Sequence, residues 1–94
     1  MRSLTVKPLR SKLGMTQQAF ASLLGISFVS VNKWENGGST PTGLSAVLLA
    51  LLESALHVHP PLHVVQALRS AGGDPLAVVR ALTELERIHG QTRT

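Results

Sequence analysis

The chain has no cysteine and no tyrosine, and aromatic residues make up only 3% of it. Without cysteine there can be no disulfide and no thiolate metal site, which fits a reducing compartment. With so few rings the core must be built from Leu, Val and Ala, a set that favours helices packed on helices. Long apolar runs are missing too. The longest, Ala46 to Leu52, falls far short of the about 20 residues a membrane-crossing helix needs. No N-terminal stretch reads as a signal peptide, so the expectation is a cytoplasmic protein with no membrane partner. Acidic residues are nearly absent from one half. Residues 1–43 carry Arg2, Lys7, Arg10, Lys12 and Lys33 against Glu35 alone, a net charge of +4. Residues 44–94 balance Arg69, Arg80, Arg87 and Arg93 against Glu53, Asp74, Glu84 and Glu86. The whole excess therefore sits in the N-terminal half, where it would seek a polyanion unless it is merely a solvated face.

What is present is apolar and helical. Ninety-four residues, 44% of them hydrophobic, can bury one modest core. Thr5 can cap a first helix reaching Leu13, with Pro8 tolerable in its first turn, and Gly14 ends it. Thr16 caps a second helix that stops at Gly25, with Phe20, Leu23 and Leu24 as its apolar stripe. Ser27 caps the next segment, which ends at Gly37-Gly38. After the turn Thr40-Pro41-Thr42-Gly43 comes a Leu-rich helix that is apolar almost all round, so it should lie in the middle of the core. Residues 57–61 read as a linker, since Pro60 and Pro61 stop that helix. Two further helices follow, Leu62 to Ser70 and Pro75 to His89, the last capped by Asp74 with Pro75 at its first position. Its stripe is Leu76, Val79, Leu82, Leu85 and Ile88, with Val78 beside them. The expected architecture is all-α, with residues 1–56 as one domain and 57–94 as a helical extension for dimerisation or partner binding, completion of the monomer's core being the alternative.

Residues 26–34, I-S-F-V-S-V-N-K-W, alternate like a strand but have no partner strand nearby. Set on a helix, the same residues separate into two faces. Val31 and Trp34, three apart, point inward together with Ile26. Ser27, Phe28, Val29, Asn32, Lys33 and Asn36 make up the outward face. Ala21 falls where two helices cross closely, and Gly25 opens the turn, where a positive φ is cheap only for glycine. Small residue, glycine four later, hydrophobic six after that: this is the spacing of a helix-turn-helix.

The run from Arg10 to Gly37, R-S-K-L-G-M-T-Q-Q-A-F-A-S-L-L-G-I-S-F-V-S-V-N-K-W-E-N-G, resembles the helix-turn-helix of the phage Cro and repressor proteins and the wider Xre-type regulators. The likeness covers roughly residues 5–55. It implies a lambda-repressor-like bundle that presents the 27–36 segment to the major groove, with Arg10 paired structurally to Glu35. On that reading Ser27, Phe28, Val29, Asn32 and Lys33 face bases. Asn32 suits adenine N6 and N7, Lys33 suits guanine O6 and N7, and Phe28 and Val29 suit thymine methyls. Partial burial of Phe28 and simple exposure of Val29 remain the alternatives. Thr16 and Gln17 would meet phosphates at a helix N-terminus, with Ser30, Asn36, Gly38 and Thr40 as further backbone contacts. The loop G-G-S-T-P-T-G lacks the basic residue that relatives often carry there. One copy should then bind weakly, and a homodimer on an inverted-repeat operator is expected.

F-A-S-L-L-G, W-E-N-G and P-T-G followed by a Leu-rich helix also resemble the DNA-binding antitoxins of bacterial toxin–antitoxin pairs, of the HigA and MqsA types. That resemblance implies a cognate toxin partner and repression of the protein's own operon. A free-standing phage-type repressor and an interaction module without DNA binding are the other readings. His57, His59 and His63 form H-x-H-x-x-x-H, but no carboxylate or thiol lies close in sequence, so no metal and no cofactor is expected. No nucleophile–base pairing and no phosphate-cradling glycine loop is visible, so no enzyme is expected.

Overall fold

The computed structural model describes residues 6–92, with side chains through Arg87. Thr5, expected to cap the first helix, and the side chain of Ile88 lie outside the described residues. Six helices follow one another: α1 Val6–Leu13, α2 Gln17–Leu24, α3 Phe28–Glu35, α4 Gly43–Val58, α5 Pro61–Arg69 and α6 Pro75–Thr92. No strand occurs among the described residues. The all-α expectation holds.

Local chemistry accounts for the helix ends. Thr16 Oγ1 accepts from Ala19 N–H at 3.1 Å, and Ser27 Oγ accepts from Ser30 N–H at 3.1 Å, each satisfying a donor that has no partner in its own helix. α2 closes at Gly25, left-handed at φ 73°. There Ile26 N–H donates to Ala21 C=O at 3.0 Å and Gly25 N–H donates to Ser22 C=O at 3.3 Å, the paired bonds of a Schellman end. Asp74 Oδ1 accepts from Leu76 N–H at 3.3 Å, and Pro75 takes the first position of α6.

One core serves all six helices. Val6 and Leu9 of α1, Phe20, Ala21 and Leu24 of α2, and Val31 and Trp34 of α3 join Leu48, Leu49, Leu52 and Ala55 of α4. Val64 and Leu68 of α5 and Val78 and Leu82 of α6 belong to the same cluster. α6 lies along α4, and α5 touches α1, α2, α4 and α6. The α5–α6 turn presses on the helix-turn-helix itself. A Cβ on Gly25 would fall on the carbonyl oxygen of Gly73 and within 2.8 Å of Pro75 Cδ.

Several expectations need correction. α4 continues through His57 to Val58, so the break between helices is only His59 and Pro60. Pro61, rather than ending a helix, starts one: its missing N–H costs nothing in a first turn. α4 is not enclosed. Leu48, Leu49, Leu52 and Ala55 are buried, but Leu44, Val47 and Val58 stand in solvent on the other side. In α6 the buried residues are Val78 and Leu82, with Val79 and Leu85 packed at the margin. Leu76 is 60% exposed because repeated steps of three drift round a helix of 3.6 residues per turn, which leaves it on the solvent side with Arg80 and away from Val78 and Leu82. Ile26, expected inward, is half-buried at the edge of the core.

Candidate nucleic-acid interface

α3 is short and built of weak helix formers, so packing rather than propensity must hold it. Val31 is fully buried and Trp34 nearly so, which anchors one side of the helix. The opposite side is open. Ser27 and Lys33 are exposed, and Phe28 and Val29 keep 46% and 57% of their surface at the start of the helix. A large ring and a branched side chain thus stand side by side in solvent at the head of the helix. The bond from Ser30 N–H to Ser27 Oγ leaves the first-turn N–H groups of Phe28 and Val29 directed outward along the helix axis.

Behind this face runs a connected set of polar side chains. Arg10 Nε and Nη2 donate to the two carboxylate oxygens of Glu35 at 2.7 and 2.9 Å, a bidentate pair between α1 and α3. Its third nitrogen, Nη1, donates to the backbone C=O of Met15 at 2.9 Å and ties down the α1–α2 turn. Gln17 Nε2 also donates to Glu35, at 2.9 Å. Gln17 Oε1 in turn accepts from Asn32 Nδ2 at 3.1 Å, and Asn32 Oδ1 accepts from Asn36 Nδ2 at 3.1 Å. Glu35 is nearly buried, with 4% of its side chain exposed, against 17% for Arg10. The hydrogen bond from Arg10, with help from Gln17, holds the Glu35 carboxyl below its ordinary pKa although burial pushes the other way. The same bond holds the guanidinium above its ordinary value.

The structure sets the residues singled out from the sequence in three groups. Phe28, Val29 and Lys33 are exposed on the outward face, as is Ser27, whose Oγ caps the helix, and Asn32 sits half-buried at its inner edge. Thr16, Asn36 and Thr40 are exposed along the rim, and Ser30 is half-buried. Gln17 and Gly38 are engaged otherwise than expected. Both ends of the Gln17 amide are bonded within the protein, so its side chain is a spacer between α2 and α3. Gly38 N–H donates inward to Lys33 C=O at 2.8 Å as part of the end of α3, which takes it away from a phosphate. The Gln17–Asn32 bond could not be read from the sequence, since an amide serves a phosphate, a carboxylate or another amide equally well. It nevertheless fixes the geometry that matters. The N-terminus of α2, with its outward N–H groups, lies directly beside the open face of α3.

A family model described as helix-turn-helix matches residues 6–63, well over half of the chain. The chain belongs to the helix-turn-helix family. It is a DNA-binding transcription regulator, and this family is a regulatory one, not an enzyme family. No curated protein and no solved structure matches the chain significantly. In a helix-turn-helix the second helix enters the major groove while the first crosses the backbone. α3 and α2 are those helices here. No helix among the described residues is long and apolar enough to cross a membrane. No group of three metal-ligating side chains comes together among the described residues either. His59 lies against α6, with Nε2 3.2 Å from the C=O of Leu85, while His57 and His63 are exposed on α4 and α5.

Proposed function

We propose that the protein is a cytoplasmic sequence-specific repressor that binds an inverted repeat as a homodimer and occludes a promoter. One observation carries this reading: an exposed Phe28–Val29–Lys33 face with half-buried Asn32 at its edge, tied through Gln17 to the N-terminus of α2. Asn32 and Lys33 discriminate adenine and guanine, while Phe28 and Val29 pack on thymine methyls. Ser27 contacts a base or phosphate at the head of the helix. Thr16, Ser30, Asn36 and Thr40 hold the phosphates with hydroxyls, an amide and backbone N–H groups. Gln17 acts by orienting Asn32 and by offering its own first-turn N–H.

The absence of a basic residue between Gly37 and Gly43 gives one copy few phosphate contacts and hence modest affinity. Two linked copies overcome that limit. The test is fluorescence anisotropy with DNA from the region upstream of the protein's own gene, against scrambled DNA of equal length. Preference for the upstream sequence, lost in an Asn32→Ala/Lys33→Ala variant that still folds, supports the reading. Equal binding to both DNAs would refute it.

The narrower reading is an antitoxin that represses its own operon, favoured by the F-A-S-L-L-G and W-E-N-G sequence combination. Residues 57–94 would then serve the toxin as well as the core. An open groove of about 430 Å³ between α2 and α5, lined by Met15, Ala19, Leu23, Leu68 and Arg69, gives an apolar segment a place to lie. A neighbouring reading frame whose product co-purifies with this chain supports an antitoxin. A gene without such a neighbour leaves a free-standing repressor.

A further inference from the structure

Between α2 and α5 run two adjoining hollows, about 430 and 500 Å³, which share Met15, Ala19 and Arg69. Their walls are mostly apolar, with Leu62 and Val65 in one hollow and Leu23 and Leu68 in the other. The groove so formed holds one charge. Arg69 is exposed where the two hollows meet, and among the described residues its side chain makes no ion pair or hydrogen bond. No carboxylate lines either hollow. Asp74, the acid closest to Arg69 in sequence, uses Oδ1 to accept Leu76 N–H at the head of α6. One end of the groove is the α5–α6 turn, where Gly73 sets its carbonyl oxygen against Gly25.

We propose that this groove binds a small apolar monoanion, a carboxylate on a hydrocarbon body, with Arg69 taking the carboxylate and the α2 and α5 walls taking the body. Charge selects the head of that ligand. A guanidinium meets a carboxylate through two parallel N–H···O bonds, and no group of the groove competes for them. A neutral apolar body laid over the Arg69 stem would draw the guanidinium out of water with no partner, and a cation would be repelled. A bare anion, in turn, would leave the leucine and valine walls wet and gain only the small energy of an exposed ion pair. Head and body are therefore both needed. Bound there, the ligand lies against Gly73 and so against the contact that backs the α2–α3 turn.

Size selects a small molecule over a protein. Either hollow falls within the roughly 300–1,000 Å³ of small-molecule sites. From Thr16 to Leu23, α2 is only about 10 Å long, so both walls together offer on the order of 200 Å². That is well below the about 800 Å² per partner of a stable complex, and a protein lodging a segment here would make most of its contact elsewhere.

Octanoate is the probe, with octan-1-ol as the body without the charge and acetate as the charge without the body. Each is titrated into isotopically labelled protein and followed by amide chemical shifts. Octanoate is expected to move the amides of Ala19, Leu68, Gly72 and Gly73, and to bind at least about five times more tightly than octan-1-ol or acetate. Arg69→Gln is expected to erase the advantage over octan-1-ol, and Arg80→Gln, at an exposed arginine of α6, to keep it. Ala19→Phe, which fills the groove from an exposed position of α2, is expected to abolish binding of both while circular dichroism shows the helices intact. Equal affinity for octanoate and octan-1-ol, or shifts centred on Leu44 and Val47 of α4, overturns the site. Octanoate that does not bind, while Arg69→Gln weakens binding to DNA, overturns it as well and gives the guanidinium to a phosphate of the duplex.

Discussion

Removing Arg10 should invert the pH dependence of stability between about pH 3 and 6, a consequence of how deeply Glu35 is placed. In the wild type the Glu35 carboxyl is held below its ordinary pKa, first by the Arg10 hydrogen bond. A depressed folded value means that the unfolded chain binds the proton more readily. The pair's contribution is then fully present above the ordinary carboxylate pKa of about 4.3 and is lost as pH falls through the folded value. Arg10→Ala leaves Glu35, 4% exposed, with Gln17 Nε2 as its remaining donor. A carboxylate stranded that deeply costs about 3–5 kcal/mol at neutral pH. Without the Arg10 hydrogen bond, burial becomes the largest influence and pushes its folded pKa up, opposed by Gln17 and by the charge of Lys7. The variant therefore loses stability as pH rises from about 4 through that raised value, whereas the wild type gains it up to the ordinary pKa and is level above; around that pKa the two slopes have opposite sign.

Glu35→Ala strands the less deeply buried partner. Arg10 keeps its bond to Met15 C=O and is 17% exposed, so its remaining nitrogens can reach water. The cost expected is about 2–3 kcal/mol, that of lost charge-assisted hydrogen bonds. Trp34, the sole tryptophan and almost fully buried, reports unfolding by its fluorescence. Urea titrations at intervals from pH 3 to 7 on the wild type, both single variants and the double variant give the slopes directly. The double variant is the reference that subtracts Glu53, Asp74, Glu84 and Glu86. Each slope due to Glu35 is at most about 1.4 kcal/mol per pH unit. Slopes of the same sign in the wild type and Arg10→Ala, or a cost for Arg10→Ala smaller than that for Glu35→Ala, would refute the reasoning.

Replacing Asn32 and Lys33 by Ala should remove about 1–3 kcal/mol of base discrimination per contact while leaving circular dichroism unchanged, and losing Lys33 should flatten the salt dependence of binding. Uracil in place of thymine throughout the operator should weaken binding by anisotropy, and Phe28→Ala should abolish that sensitivity; a wild-type protein indifferent to the thymine methyl would show that the exposed ring reads no base. Gly25→Ala meets both a left-handed backbone and the carbonyl oxygen of Gly73, so a loss of more than about 2 kcal/mol is expected in denaturant titrations. A near-neutral Gly25→Ala would mean that the α5–α6 turn does not bear on the helix-turn-helix.

The helix ends were legible because they obey short-range rules. Thr16, Gly25, Ser27 and Asp74 each act within four residues, and each sits in the role its type suggests. The two faces of α3 were legible because Val31 and Trp34 contrast with Asn32 and Lys33. α4 offers no such contrast. With Leu, Val and Ala on nearly every side, nothing within it says which side α6 will cover, and its exposed Leu44 and Val47 emerge only from tertiary packing. Leu76 differs for another reason: in steps of three from Leu82 the position drifts round the helix, so Leu76 comes out on the solvent side with Arg80. Pro61 was misjudged for a different reason, since proline ends one helix and begins the next with equal ease.

Gln17 was the residue least legible from sequence, and it connects the fold to the reading of bases. A carboxylate only accepts hydrogen bonds, so Glu35 obliges Gln17 to turn its Nε2 to it and its Oε1 toward Asn32. That oxygen then obliges Asn32 to present Nδ2 to it, which leaves Oδ1 for Asn36. Each amide orientation thus descends from the charge at the end of the chain, and that charge is held in place by Arg10. Asn32 gives up one of its two N–H groups and one of its two lone pairs to this chain of bonds. One donor and one acceptor remain, the set a bidentate contact to adenine uses. The network therefore removes the freedom of Asn32 to rotate without removing its capacity to discriminate. If Asn32 reads adenine as proposed, specificity at that position depends on an ion pair set behind the outward face.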